Sequence, residues 1–348
     1  MSSIDATPDL ASLGGTGRSI PAYGNPLWKR LLVSRETTII GALIVVWIIA
    51  AIVVPYFNST TTVDFLLLDT APILMIALPM TFVIMTGEID LSVGSTVGLS
   101  SVLLGLLTQA HVPFGLSIVL CLVLGLVAGA FNGFFVTVVG LPSIAVTIGT
   151  IALYRGIAVG LLGTTAVSNF PSYWENLAQQ QIGSTGIPVV MILIAVLIVV
   201  FGFVLHFTPF GRGLIALGLS SDAALFSGVN VNRSKFISFL LTGVVSALAG
   251  VFWTLRYSTA RGDNATGLEL SVIAAVLLGG VSIFGGKGAL PGVIAGVLLI
   301  GVLQEALQLA SVSSDAITVV TGVVLILSVV TPQVIRRVRS RRPRAVSA

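Results

Sequence analysis

The sequence predicts an all-α integral membrane protein with ten transmembrane helices. Of its 348 residues, 55% are hydrophobic and only 9% are charged, whereas soluble domains carry about 25% charged residues. Apolar runs of about 20 residues recur along the chain, which is the length that a helix needs to cross a bilayer. The short alternating segments of a transmembrane barrel are not seen in the sequence. These observations exclude a soluble protein.

The predicted spans divide the chain into a membrane domain and two tails. We expect residues 1–36 to form a disordered cytoplasmic tail, residues 37–332 the transmembrane domain, and residues 333–348 a basic cytoplasmic tail. The first apolar run would then act as an uncleaved signal anchor. The predicted spans are 37–57, 63–86, 91–109, 114–139, 143–162, 188–207, 235–256, 269–286, 290–309 and 315–332.

The distribution of basic residues predicts the orientation. Lys29, Arg30 and Arg35 precede the first span, and six arginines follow the last. Basic residues concentrate on the cytoplasmic side of membrane proteins, and this rule explains the C-terminal arginines more simply than nucleic-acid binding does. Both termini are therefore expected in the cytoplasm, which requires an even number of spans. We expect a multi-pass protein of the cytoplasmic membrane, in contact with lipid.

Two segments share a similar pattern. Residues 86–93 read Thr-Gly-Glu-Ile-Asp-Leu-Ser-Val, and residues 266–272 read Thr-Gly-Leu-Glu-Leu-Ser-Val. Five spans separate them, so they would enter the membrane from opposite faces, as the inverted repeats of transporters do. Chance similarity in so biased a composition is the alternative, and the sequence leaves both open.

Polar residues within the apolar runs indicate a polar route through the protein. Glu88 and Asp90 lie between two spans, and acids at membrane depth need protein partners or a wet cavity. Asp90 and Ser92 precede an apolar run as helix-capping residues do. We expect Asp90 to cap the following half-helix; contact with the transported solute is the alternative.

A second group of polar residues predicts an external vestibule. Arg155 lies in the outer part of span five and is expected to pair with Asp69 in span two, although its long side chain can also reach the membrane interface. Span nine ends with Gln304, Glu305 and Gln308, of which the two glutamines share a helix face.

The connection 218–231 predicts a short cytoplasmic helix with a face of small side chains. A serine can cap its N-terminus, an aspartate favours its positive end, and a glycine can end it. Such a helix can dock closely into a groove on another protein; an ordinary capped turn is the alternative. The residues concerned are Ser220, Ser221, Asp222, Ala223, Ala224, Ser227 and Gly228.

Several motifs occur in one order between about residues 65 and 330. They are Gly-Glu-Ile-Asp-Leu-Ser-Val-Gly at 87–94, Asn-Gly at 132–133, Gly-Leu-Pro-Ser at 140–143, Thr-Ile-Gly-Thr at 147–150, Tyr-Arg-Gly at 154–156, the loop 223–231, Ala-Ala-Val-Leu-Leu-Gly-Gly at 274–280 and Gly-Gly-Lys-Gly at 285–288. Each motif is weak alone, but the ordered set resembles the ribose-type permease subunits of ATP-driven sugar importers.

The resemblance implies a type II importer-like permease with an inverted repeat and several partners. These are a second permease chain (identical or paralogous), cytoplasmic ATP-binding-cassette ATPase subunits, and an extracytoplasmic sugar-binding protein. Residues 220–228 would be the coupling helix in a cleft of the ATPase. Glu88 stands where many members carry a glycine, which would suit a deoxysugar such as rhamnose or an autoinducer-like ligand.

Two arginines depart from the positive-inside pattern. Arg256 and Arg261 lie on the predicted outside, where they are candidates for docking acidic residues of the sugar-binding protein. Salt bridges to Asp263 or Glu269 in the same loop are the alternative.

The chain itself offers no catalytic, ATP or metal site in its sequence. It lacks the Gly-x-x-x-x-Gly-Lys-[Ser/Thr] phosphate cradle, and residues 285–288 suit a tight turn. Its one cysteine and two distant histidines lack metal-ligand spacing. We therefore expect no catalytic residues, no metal, no cofactor, and ATP bound by a partner. The sequence predicts an importer permease for a monosaccharide or similar small polar solute; a gradient-driven carrier or channel is the alternative.

Overall fold

A computed structural model describes residues 35–340, which are largely helical. Two isolated β-bridges, Val167 with Ala260 and Gln181 with Pro188, join connecting segments. The helices are α1 (Arg35–Val53), α2 (Thr60–Met85), α3 (Val93–Gln109), α4 (Phe114–Thr137), α5 (Ser143–Leu162), α6 (Ser172–Gln179), α7 (Val190–Phe207), α8 (Pro209–Leu219), α9 (Ser221–Phe226), α10 (Val231–Tyr257), α11 (Leu268–Leu278), α12 (Leu290–Leu309) and α13 (Ser314–Ser340).

Seven of these helices are long and apolar enough to cross a membrane. They are α1, α2, α4, α5, α7, α10 and α12, and each overlaps a span predicted from the sequence. The prediction of an all-α integral membrane protein is confirmed.

The remaining predicted spans are not all full-length helices. The span predicted at 269–286 is only the 11-residue helix α11, followed by a turn. Eleven residues extend about 17 Å, roughly half of a hydrocarbon core about 30 Å thick. Helix α3, with 17 residues, replaces the span predicted at 91–109. Ten full-length spans are therefore not observed.

The predicted tails lie mostly outside the described residues. Residues 1–34 of the predicted N-terminal tail and residues 341–348 of the predicted C-terminal tail are not described. Helix α13 reaches Ser340, so the helix continues eight residues into the segment predicted to be a basic tail.

The centre of the bundle is built on small residues. Helix α10 lies against α4 so closely that a Cβ atom at Gly125 would clash with the carbonyl oxygen of Gly243, and one at Gly129 with that of Phe239. Close approach through small residues is how helices associate in membranes, where lipid and core side chains are equally apolar. Helix α2 fills the interior: 89% of the residues in its most apolar stretch are buried, compared with 6% of those in the corresponding stretch of α1.

The two ends of the bundle can be named by their short helices. Gln179 of α6 donates a hydrogen bond to the carbonyl oxygen of Leu255, near the C-terminus of α10 (3.3 Å). Helix α9 precedes the N-terminus of α10 by four residues, 227–230. Because the 27-residue α10 extends about 40 Å, α6 and α9 lie at opposite ends. We call these the α6 end and the α9 end.

Two non-helical segments enter the bundle from opposite ends. We call residues 86–92, between α2 and α3, the first break, and residues 258–267, between α10 and α11, the second break. The second break follows α3 inward, since its Ala260 lies against Gly105 and its Asn264 against Gly98. Glu269, at the start of α11, lies against Gly94, 11 residues and about 16 Å along α3 from Gly105. Helix α11 therefore starts inside the bundle.

The close contact of α4 and α10 gives a stability prediction. Gly125→Val inserts a branched side chain against Gly243 and Ala247, and overpacking of this kind costs about 1–3 kcal/mol. We expect a clearly lower thermal unfolding midpoint in detergent micelles. Gly149→Val is the matched control, because a Cβ atom at Gly149 has open space around it. Equal destabilisation by the two substitutions would contradict the packing described here.

Candidate functional site

The first break is fastened to two neighbouring helices. Gly87 has a φ of 82°, which turns the chain away from α2. The Glu88 N–H donates to the carbonyl oxygen of Val83 at 3.3 Å, and the Ile89 N–H donates to the Ser143 hydroxyl of α5 at 3.2 Å. These bonds supply the partners that non-helical backbone requires at membrane depth.

Asp90 fixes the start of α3 through Ser92. It is 1% exposed, and its Oδ1 accepts from the Ser92 N–H (2.9 Å) and from the Ser92 hydroxyl (2.7 Å). Asn132 of α4 in turn donates to the Ser92 hydroxyl at 2.7 Å. Ser92 is the N-cap residue, but its side chain makes no capping bond. The predicted capping by Asp90 is therefore corrected: Asp90 holds the N-cap residue and does not bond to the first turn of α3.

Glu88 joins the first break to α10. Its Oε1 lies 2.5 Å from the Nζ atom of Lys235, and the two side chains are 17% and 21% exposed. The sequence indicated a partner for this acid but not which one, since 147 residues separate the pair.

The second break is held by Arg155 of α5. The Nη1 of Arg155 donates to the carbonyl oxygens of Gly262 (2.8 Å) and Asn264 (2.6 Å), and its Nη2 to that of Gly94 (3.4 Å). The predicted ion pair of Arg155 with Asp69 is therefore wrong. The physical reason is that buried carbonyl groups of a break need donors, and a guanidinium presents several in a fixed fork.

A hydroxyl and amide cluster adds to this anchor. Ser101 of α3 accepts from the Thr254 hydroxyl (2.7 Å) and from the Asn264 side-chain amide (2.9 Å). It therefore ties the second break to both α3 and α10. Sequence reasoning missed these residues; for Ser101 and Thr254, the available signal was a polar side chain within an apolar run.

The two breaks meet at the start of α3. A Cβ atom at Gly94 would clash with the carboxylate of Glu269 and contact the carbonyl oxygen of Ala265. The two similar segments, 86–93 and 266–272, thus converge inside the bundle with one helix starting at each. Helices that begin at membrane depth and converge in this way are typical of transporters.

A charged cluster lies at the α6 end. Asp69 Oδ1 accepts from Arg256 Nη2 (3.4 Å) and from the Tyr257 hydroxyl (3.1 Å). The Arg256 guanidinium lies over the Phe65 ring, 5.2 Å from its centroid, and Glu305 is buried close enough to Asp69 for their charges to interact. The Arg256 Nε is buried without a hydrogen-bond partner among the described residues. We call these five residues the outer cluster.

The other predicted vestibule residues point elsewhere. Gln304 donates to the Thr321 hydroxyl of α13 at 3.1 Å, and Gln308 is exposed at the end of α12. Arg261 binds Asp263 through two 2.8 Å hydrogen bonds, the salt bridge expected as the alternative, while docking of the binding protein at the exposed Arg261 stays a prediction. The Arg261 guanidinium holds the pKa of Asp263 below its ordinary value. Arg256 instead pairs with Asp69.

Helix α9 is capped as predicted. The Ser220 hydroxyl accepts from the Ala223 N–H at 3.2 Å, and Asp222 lies in the first turn. Gly228, with a φ of 80°, ends the helix. The Ser227 hydroxyl donates back to the carbonyl oxygen of Ala223 (2.9 Å).

The exposed face of α9 differs from the prediction. Ala224, expected on a docking face of small residues, is 1% exposed and packs against its own chain. Phe226 is 91% exposed and Leu225 61%. The exposed side of α9 therefore carries Leu225 and Phe226 beside the polar Ser221 and Asp222, and Ala223 and Ser227 are exposed as predicted. Ala224 is buried because it lies on the side of the helix that faces the bundle.

The comparisons with known proteins agree on the family. The model of the permease components of branched-chain amino acid transport systems matches residues 62–329. This chain belongs to that family. The autoinducer 2 import system permease protein LsrD of Escherichia coli O157:H7 is 37% identical over 262 residues, which cover 74% of this chain and 79% of that protein. The LsrD proteins of E. coli K12 and Shigella flexneri are 36% identical over the same length. Comparison with solved structures found no match.

Family membership sets the class of function. The chain is a membrane permease subunit of an ATP-binding-cassette importer, and it is a translocation component rather than an enzyme. The family that the ordered motifs indicated, that of the ribose-type importer permeases, is confirmed. Importers of this kind work with an ATPase and a substrate-binding protein.

The anchor at Arg155 gives a second prediction. Arg155→Met removes the donors of the Gly262 and Asn264 carbonyl groups, and each buried carbonyl left unsatisfied costs about 1–3 kcal/mol. We expect a lower free energy of unfolding and faster proteolysis at the second break. Arg155→Lys should rescue little, because an ammonium lacks the planar fork. Arg261→Met is the control, since that side chain is exposed and bonds Asp263 alone; a loss as large as that of Arg155→Met would refute the anchor.

Proposed function

We propose that this chain carries a monosaccharide or an autoinducer-like sugar derivative inward across the cytoplasmic membrane. The ordered motifs support a sugar-type solute, and the relatives described above are permeases of autoinducer 2 import systems. The observation that carries the coupling to ATP hydrolysis is α9, a capped helix with two exposed large apolar side chains, Leu225 and Phe226.

Helix α9 is well placed to act as the coupling helix. It follows α8, whose Gly218 lies against the carbonyl oxygen of Met85 and the backbone of Gly285 and Gly286. The Gly286 N–H also donates to Met85 at 3.0 Å. A displacement of α9 by ATPase subunits would therefore reach the end of α2, where the first break begins. ATP would bind only to those partners, and this chain would need no cofactor of its own.

The outer cluster is our candidate for the first contact with the solute. Carboxylates such as Asp69 and Glu305 accept hydrogen bonds from hydroxyl groups, and a guanidinium donates them. The ring of Phe65 is 43% exposed, and the face that Arg256 does not cover would offer an apolar surface to a sugar ring. Beyond this cluster, Arg155 and the residues Glu88, Asp90 and Ser92 would shape the central part of the path.

The orientation and the partners follow from the same assignment. The α9 end and both termini would face the cytoplasm, and the α6 end would face outward. A second permease chain, identical or paralogous, would complete the path. The extracytoplasmic binding protein would dock at the α6 end, where the exposed Arg261 offers a charged contact at the rim.

A docking experiment tests the coupling role of α9. The few residues that dominate the binding energy of an interface each contribute about 2 kcal/mol or more, roughly 30-fold in affinity; as the most exposed large apolar side chain of α9, Phe226 is our candidate for such a residue. We expect Phe226→Ala to weaken association with the ATPase subunits by about this factor in a pull-down titration in detergent. Tyr173→Ala is the matched control, because it removes an exposed aromatic ring at the α6 end. Unchanged association of the Phe226 variant would rule out α9 as the main contact.

An uptake experiment tests the solute class and the outer cluster. In proteoliposomes with the ATPase and the binding protein, we expect ATP-driven uptake of a monosaccharide or autoinducer 2, and none of leucine. Glu305→Gln and Asp69→Asn should each raise KM about tenfold, which corresponds to the loss of about 1.4 kcal/mol of binding free energy. Asp315→Asn, an exposed acid at the start of α13, is the control. Uptake of leucine instead of sugars would overturn the solute class, and flux without an ATPase would favour a gradient-driven carrier.

A further inference from the structure

The ion pair of Glu88 and Lys235 joins the first break to α10, the helix that follows α9. Exposed ion pairs contribute little to stability, but these two side chains are each about four-fifths buried. Removal of one partner from such a pair leaves a charge inside the protein without its counter-ion. The first break and the beginning of α10 are therefore held together at this contact.

Lys235 is connected to α9 by a short, hydrogen-bonded segment, residues 227–230. The Val229 N–H donates to the carbonyl oxygen of Ala224 at 3.0 Å, which folds the connecting segment back onto α9. Asn230 then caps α10 by accepting from the Arg233 N–H at 2.9 Å. Lys235 follows within the next turn of α10. We therefore expect a displacement of α9 to displace Lys235.

Glu88 is likewise connected to the start of α3 by a short, hydrogen-bonded segment. Its own N–H bonds to α2, and the next N–H, that of Ile89, bonds to α5. The residue after Ile89, Asp90, holds Ser92, the N-cap residue of α3. A displacement of the Glu88 carboxylate is thus carried to the point where the two breaks meet.

We propose that the Glu88–Lys235 ion pair transmits the displacement of α9 to the first break, which makes both residues positioning residues for transport. This inference rests on the proposed coupling role of α9. When the ATPase moves α9, Lys235 moves with α10 and carries Glu88 and the start of α3. Without the ion pair, the contact of α8 with Met85 and Gly286 still links α9 to the first break, but fewer solute molecules are transported for each ATP hydrolysed.

Two double variants test this role in the complete importer. The neutral pair, Glu88→Gln with Lys235→Gln, leaves no unpaired charge; the exchanged pair, Glu88→Lys with Lys235→Glu, keeps the attraction with its polarity reversed. The measured quantity is the number of autoinducer 2 molecules taken up per ATP hydrolysed in proteoliposomes. Since coupling between sites commonly changes an equilibrium 5- to 150-fold, we expect this ratio to fall about tenfold in the neutral pair. The ATPase rate should change little, and the exchanged pair should recover most of the ratio.

The outcomes separate this inference from the proposed function. An unchanged ratio in the neutral pair, or an exchanged pair no better than the neutral one, would overturn the inference. Failure of the neutral pair to assemble while the exchanged pair assembles normally would assign the ion pair to folding and would also overturn it. Absence of ATP-driven uptake by the unsubstituted importer would instead refute the proposed function itself, and this inference with it.

Discussion

Non-helical backbone cannot remain unbonded inside a membrane, and this constraint organises the centre of the protein. Each carbonyl and N–H group of the two breaks must bond to protein, because lipid offers no partner. Arg155 bonds to Gly262 and Asn264 in the second break. Ser143 and Asn132 serve the first break. These three interior polar side chains are therefore partners of the two breaks.

This constraint also explains why α3 and α11 are short. Each begins where a break ends, inside the bundle, and extends from there toward one end. Helices that start inside the bundle allow polar backbone and carboxylates to meet at depth, while more exposed long helices such as α1 lie at the outside of the bundle. The close packing of Gly125 against Gly243 holds together α4 and α10, two of the helices to which the breaks are bonded.

The sequence was informative where the signal was local. Apolar runs located the seven long helices, and Ser220 and Gly228 marked the ends of α9. Glu88 and Asp90 marked the first break, since acids between apolar runs require partners. Long-range partners could not be read in this way. The partner of Arg155 is backbone, which carries no sequence signal, and α11 ends at Leu278 within a stretch that stays apolar in composition. That Ala224 faces the bundle depends on tertiary packing, which a local sequence pattern does not show.

The meeting of the two breaks at Gly94 and Glu269 has a thermodynamic consequence. The second break starts at the α6 end and the first at the α9 end, yet both finish at one point. Suppose that a nucleotide bound to the ATPase changes the affinity of this point for a solute by some factor. The bound solute must then change the affinity of the ATPase for that nucleotide by the same factor. Solute binding in the pathway and nucleotide binding by the ATPase would thus be linked without a separate regulatory domain.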